Sequence, residues 1–116
     1  MILSDLLVIE LASVLAGPSL GMFLAEQGAT VIKVENPHSK GDVTRGWRLA
    51  SESQKDDRSA YFCSVNWGKQ SICLDIKDKD DRQKVKGLIA KADIVITSFR
   101  PGQAGVYGLD YESLIV

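Results

Sequence analysis

Two adjoining stretches limit what this chain can fold into: LLVIEL at Leu6–Leu11, then AGPSLGMFLAEQGATVIKVE from Ala16 to Glu35. The apolar run reads as a strand, a turn follows, and a short amphipathic helix opens at Gly17-Pro18 and runs from Pro18 to Gln27. Pro18 suits a first helical turn, where the N–H it lacks would be unpaired anyway. Leu20, Phe23 and Leu24 recur at helical spacing, and Gly28 can take the left-handed conformation that ends a helix. A second apolar strand, Thr30–Glu35, completes a strand–turn–helix–strand unit. Such a unit aims backbone N–H groups at whatever sits beyond the strand ends. Gly17 and Gly21 do not reproduce G-x-G-x-x-G, and no acidic residue stands where that fingerprint needs one. The turn therefore reads as a packing turn rather than a dinucleotide site.

Further along, Asn36 to Ser59 is polar and long for a structureless connection, which is the mark of a binding loop, a lid or a disordered segment. Trp47 inside it argues against simple disorder. Tyr61–Val65 is a short apolar run, Ser71–Asp75 a third strand, and Ile94–Thr97 a fourth. Between the last two, Asp78–Lys91 is an amphipathic helix through Val85, Leu88 and Ile89, with acidic residues early and lysines late as the helix dipole favours. The remainder is turn-rich, with two short helical turns.

Strands alternating with helices give an α/β fold with a mostly parallel sheet. In such sheets ligands gather beyond the carboxyl ends of the strands. Those ends are Ala12–Ala16, Asn36–Gly41, Asp75–Lys77 and Ser98–Gly102. That rim offers Lys77, Arg100, His38 and Lys40, with Arg45 and Arg48 in the long loop and Phe99 able to stack a base. Cations beside backbone donors suit an anionic, nucleotide-like ligand. His38 is the only histidine, and it forms no recognisable Ser-His-Asp or Cys-His set.

The chain has 116 residues and a formal net charge of −1, which fits one small domain with a modest core. Acidic and basic residues are interspersed, so there is no basic stripe for nucleic acid. Asp5 and Glu10 interrupt the apolar N-terminus, which reads as a core strand rather than a signal peptide. No stretch is long and apolar enough to imply a membrane span. Cys63 and Cys73 lack the paired spacing of a metal site and read as reduced, buried thiols of a cytoplasmic protein.

Five strings, taken together and in this order, resemble the start of class III coenzyme A transferases: AGPSLGMFLAEQGATVIKVENP, GDVTRGW, YFCSVNWGKQSICLDIKD, ADIVITSFRPG and YGLDYESL. This is the family of formyl-CoA and carnitine CoA-transferases, and the likeness runs from Leu6 to Leu114. It implies a Rossmann-like large domain, of which residues 1–116 would be the N-terminal, CoA-binding part. The rest of that domain and a small domain would lie outside this chain. It also implies an interlocked homodimer, and transfer of CoA from an acyl-CoA donor to a carboxylic acid acceptor through an acyl–aspartyl intermediate. The catalytic aspartate would lie beyond this chain, so no catalytic residue and no metal site falls within it.

Carried onto these positions, the CoA contacts would fall at Leu15, Ala16, Asn36, Leu74, Asp75, Ile76, Lys77, Ser98, Phe99 and Arg100. The sequence departs from the family pattern in places. Asn66-Trp67-Gly68-Lys69 replaces Asn-Arg-Asn-Lys, Ser98 replaces a common asparagine, and Val106 stands where some members have an arginine. Leu15 stands where formyl-CoA transferases carry glutamine, which argues against formyl or oxalate specificity. The alternatives are a fragment of an acyl-CoA racemase, which shares the fold, and a non-catalytic CoA- or nucleotide-binding module. A parallel sheet cut after four strands exposes an apolar edge and uncovered faces, so such a piece is expected to self-associate or be marginally stable. Tight CoA binding by the piece alone is not expected.

Overall fold

The computed structural model describes residues 1–115. Its framework is a four-stranded, all-parallel sheet of β1 (Leu7–Leu11), β2 (Thr30–Glu35), β3 (Gln70–Cys73) and β4 (Ile94–Thr97). The spatial order is β3-β2-β1-β4, with Leu7 opposite Thr30, Val8 opposite Ile94 and Ile32 opposite Gln70. The chain winds outward from β1 to β3, then returns to the far side of β1 for β4. That reversal places a topological switch point between the carboxyl ends of β1 and β4, where open α/β sheets form their crevice.

Two helices of 11 residues flank the sheet, α1 (Ala16–Glu26) and α3 (Lys79–Ile89), joined by three short ones: α2 (Ala60–Asn66), α4 (Gln103–Val106) and α5 (Tyr111–Leu114). Side chains alternate along β1, so Ile9 and Leu11 face one way while Val8, Glu10 and Ala12 face the other. The first set packs with Leu74, Leu109 and α3's Val85 and Ile89. The second packs with Ala29, Val31 and Ile96, covered by Leu24 and Ala25 of α1. Gly17 lets α1 approach this face closely, since a Cβ there would overlap that of Ala12.

The strands at Thr30–Glu35 and Ile94–Thr97 lie where the sequence places them. α1 starts earlier, at Ala16, with Pro18 still in its first turn, and Gly28 (φ +107°) follows its end. α3 is entered through Asp78, whose carboxylate accepts from Asp81 N–H at 2.9 Å.

The structure resolves two stretches whose form the sequence left open and corrects one expectation, that the thiols are buried. The apolar run at Tyr61–Val65 is a helix, because Ser59 Oγ accepts from Phe62 N–H at 2.9 Å and caps it. Neither thiol is buried. Cys63 lies on α2 away from the face formed by Phe62, Val65 and Asn66, and Cys73 lies on edge strand β3, all four of whose residues are exposed. The long loop is ordered by two 3₁₀ turns, Pro37–Ser39 and Val43–Gly46, and by an edge-on contact between Trp47 and Tyr61 with ring centres 5.2 Å apart.

Candidate functional site

A cleft of about 380 Å³ opens at the carboxyl ends of all four strands. Ala12 and Ser13 line it from the turn after β1, Asn36, Ser39 and Asp42 from the segment after β2, and Leu74–Lys77 from beyond β3. Ser98 and Phe99 close it after β4, with Gln103 and Tyr107 from α4 and its C-terminal end. Of the expected contacts, Asn36, Leu74, Asp75, Ile76, Lys77, Ser98 and Phe99 share this lining. Leu15, Ala16 and Arg100 are not part of it. Leu15 and Ala16 begin α1, and Arg100 N–H donates to Gln103 Oε1 at 3.2 Å in the next turn.

The rim cations divide sharply. Lys77 lines the cleft and is exposed. His38 is exposed beside it, its Nε2 3.1 Å from Asp75 Oδ2, which ties the segment after β2 to the one after β3. The long-loop arginines face inward. Arg45 pairs with both oxygens of Glu35 at 2.8 Å and lies 3.9 Å above the Phe62 ring. Arg48 donates to the carbonyls of Gln54 and Asp56. These two arginines order the loop and are not free to hold an anion.

Beneath the cleft lies a buried charged layer that sequence reasoning missed. Glu10 and Lys33 are register partners on β1 and β2, with Lys33 Nζ 2.8 Å from Glu10 Oε2. The same ammonium lies 3.0 Å from Asp42 Oδ2 and donates to Ala12 O at 3.0 Å. Lys69 Nζ lies 2.8 Å from Glu10 Oε1 and donates to Pro18 O and Asn66 Oδ1. With Glu35 and Arg45, three acidic and three basic groups balance. Gly21 makes room for this layer, since a Cβ there would overlap Glu10 Oε1.

Burial alone would raise the Asp42 carboxyl, yet hydrogen bonds from Thr44 N–H, Lys33 and the Thr44 hydroxyl hold it below the ordinary value. Burial likewise pushes Glu35 upward, and Arg45, Ser71 and Asp42 N–H outweigh it, so its pKa is lowered. For Lys69 burial wins over the Glu10 carboxylate and lowers the pKa. One signal for this layer stood in the sequence: Glu10 and Lys33 each interrupt an otherwise apolar strand.

The layer fixes the turn between β1 and α1. Asp42 Oδ2 accepts from Val14 N–H at 3.3 Å, and Ser98 Oγ accepts from Ser13 N–H at 3.4 Å. Side chains from three segments thus grip Ala12–Val14, and Val14 is held at φ +74°. A β-branched residue in the left-handed region is strained and persists only where its surroundings dictate it.

The profile of CoA-transferase family III matches residues 3–115. The chain belongs to CoA-transferase family III. It is 47% identical over 117 residues to a succinate–glutarate CoA-transferase of Agrobacterium fabrum, covering 98% of this chain and 29% of that protein. It is 40% identical over 113 residues to a succinyl-CoA:mesaconate CoA-transferase of Haloarcula hispanica, covering 97% and 28%. A crystal structure of a CaiB/BaiF family protein from Brucella suis superimposes with a TM-score of 0.84 at 45% identity, covering 96% of this chain and 29% of that one. The chain therefore spans less than a third of the length of these relatives. Among the described residues no helix is long and apolar enough to cross a membrane.

Proposed function

We propose that this chain forms the CoA-binding, N-terminal part of the large domain of an acyl-CoA:carboxylate CoA-transferase. The observation that carries this reading is the cleft itself. One cavity at the switch point joins Lys77, an ammonium suited to a phosphate, with Phe99, a ring suited to an adenine face. Family membership supplies the ligand class. Asn36, Leu74–Lys77 and Ser98–Phe99 contact the CoA, and Leu15, Ala16 and Arg100 contact it at the cleft's border.

In this reading an aspartate outside these 116 residues does the covalent chemistry. Its carboxylate attacks the thioester carbon, the C–S bond breaks, and CoA leaves as thiolate. The thiolate then attacks the aspartyl carbonyl of the mixed anhydride, releasing the first acid and leaving an aspartyl thioester. The acceptor carboxylate attacks that thioester, expelling CoA thiolate and forming a second anhydride. The thiolate then attacks the acceptor's carbonyl, giving the new acyl-CoA and freeing the aspartate carboxylate. Splitting one transfer into such steps is what covalent catalysis achieves. This chain's part is to hold the nucleotide end of CoA so that its sulfur returns to one place. The named relatives act on succinate, glutarate and mesaconate, so a four- or five-carbon dicarboxylate is the proposed acceptor, with succinyl-CoA as donor. Assembly as a homodimer in the cytoplasm belongs to the same proposal.

Calorimetric titration of CoA into the protein at its natural length tests the reading. Lys77→Ala should weaken binding about tenfold, the loss expected of one charge-assisted contact to phosphate. Phe99→Ala should weaken it by a similar factor if the ring stacks on adenine. Unchanged binding in both variants would overturn the assignment of CoA to this cleft.

A further inference from the structure

Building on that reading of the cleft, we infer that Asp42 is a positioning residue for ligand binding. Its buried carboxylate holds Val14 in a left-handed conformation, and this sets the turn that forms the cleft wall at Ala12 and Ser13. The side chain is fully buried, and both of its oxygens are engaged. Oδ1 accepts from Thr44 N–H at 3.0 Å and from the Thr44 hydroxyl at 2.8 Å. Oδ2 faces Lys33 Nζ at 3.0 Å and accepts from Val14 N–H at 3.3 Å. Thr44 and Lys33 fix the carboxylate, leaving the turn as the element that must conform to it.

The conformation it imposes is one that valine avoids. Val14 sits at φ +74°, where its branched Cβ crowds the backbone. Released, it would return to negative φ and swing the peptides on either side. Ser13 would then turn away from Ser98, its partner across the switch point. Lys33 extends the same control, because its ammonium holds both Ala12 O and Asp42. The buried charges thereby act on the cleft through backbone geometry, without Asp42 needing to touch the ligand.

A substitution at Asp42 alone would confound positioning with charge balance, because Lys33 would lose a partner. A crossed pair of variants separates them. Asp42→Asn offers one acceptor oxygen where two are in use, so either Thr44 or Val14 loses its bond. CoA binding should weaken about tenfold, and exchange of the Val14 amide should accelerate by a similar factor, as expected for losing one buried hydrogen bond. Adding Val14→Gly should bring CoA binding back to within about threefold of the parent, because glycine takes positive φ without the carboxylate. If the double variant binds as weakly as Asp42→Asn alone, Asp42 only balances Lys33 and the inference falls. Wild-type binding by a folded Asp42→Asn variant would also overturn it.

Should Asp42→Asn fail to fold, Val14→Gly alone decides. Relief of a forced left-handed valine should raise the melting temperature by roughly a few degrees with CoA affinity kept. A fall of the same size would show that the turn carries no strain for Asp42 to hold. If the parent protein binds no CoA at all, the reading of the cleft fails. The exchange rate of the Val14 amide in Asp42→Asn still tests the role of Asp42.

Discussion

Beneath α3 the sheet meets its cover through Ile9, Leu11, Val85, Ile89 and Leu109, each at most 8% exposed, and every one of them apolar. Beneath α1 and α2 the other face also carries an apolar cluster, Val8, Ala12, Val31 and Ile96, but β1 and β2 add Glu10, Lys33 and Glu35 to it, equally buried and charged. Strand periodicity makes this possible, because alternate residues of one β-strand serve opposite layers. The apolar face gains stability from area removed from water. The charged groups of the second face add little net stability, since desolvation consumes most of the attraction between buried ions. What they provide is direction: Lys33 donates to Ala12 O and Asp42 accepts from Val14 N–H, so two of these groups act directly on the turn at Ala12–Val14. Apolar packing on both faces holds the fold together, and the charged groups on one of them aim the cleft.

The widest separation between the two faces should come from Lys33→Met. It leaves Asp42 buried without its cation, at a cost of about 3–5 kcal/mol measured by denaturant unfolding. In any fraction that remains folded, CoA binding should fall as well. Val85→Ala, on the opposite face, should cost roughly 2 kcal/mol through lost burial and a small cavity. CoA affinity in that variant should stay at the parental value, and a matching loss would erase the division of labour.

Acid should separate the faces next. The folded pKa values of Asp42 and Glu35 lie below their ordinary values of 3.8 and 4.5. Their contribution is therefore complete above about pH 5 and is lost as pH falls through the unfolded and then the depressed folded values. Asp42→Asn should flatten the fall of unfolding free energy in that window, while Val85→Ala should leave its slope unchanged. The smallest effect belongs to glycine. Gly87 in α3 has open space around the position a Cβ would take, so Gly87→Ala should add about 0.5–1 kcal/mol. Gly21→Ala in α1 should instead destabilise, because its methyl would overlap Glu10.

The two faces also differ in how plainly the sequence announces them. Thr30–Glu35, Ile94–Thr97 and the amphipathic stripe of Val85, Leu88 and Ile89 are legible because burial imposes a period on apolar residues. The strand ends were legible for the same reason, and with them the rim where Asn36, Lys77, Ser98 and Phe99 meet. The charged layer has no such period. Asp42 and Lys69 come from loops and reach Glu10 and Lys33 only in three dimensions, so no spacing in the chain announces them. Arg45 and Arg48 look like free cations in the sequence, and only the fold shows Glu35 and backbone carbonyls occupying them. α2 was hidden because its seven residues are too few to establish a helical pattern, and the cap at Ser59 decides the matter. The exposure of Cys63 and Cys73 follows from that helix and from β3 lying at the sheet edge.

The most direct test of the central claim is amide hydrogen exchange across the protein at its natural length, with and without saturating CoA. The account expects protection at 12–16, 36–42, 74–77 and 98–100, with no change along the solvent side of α3. Protection elsewhere, with those four segments unaffected, would contradict it.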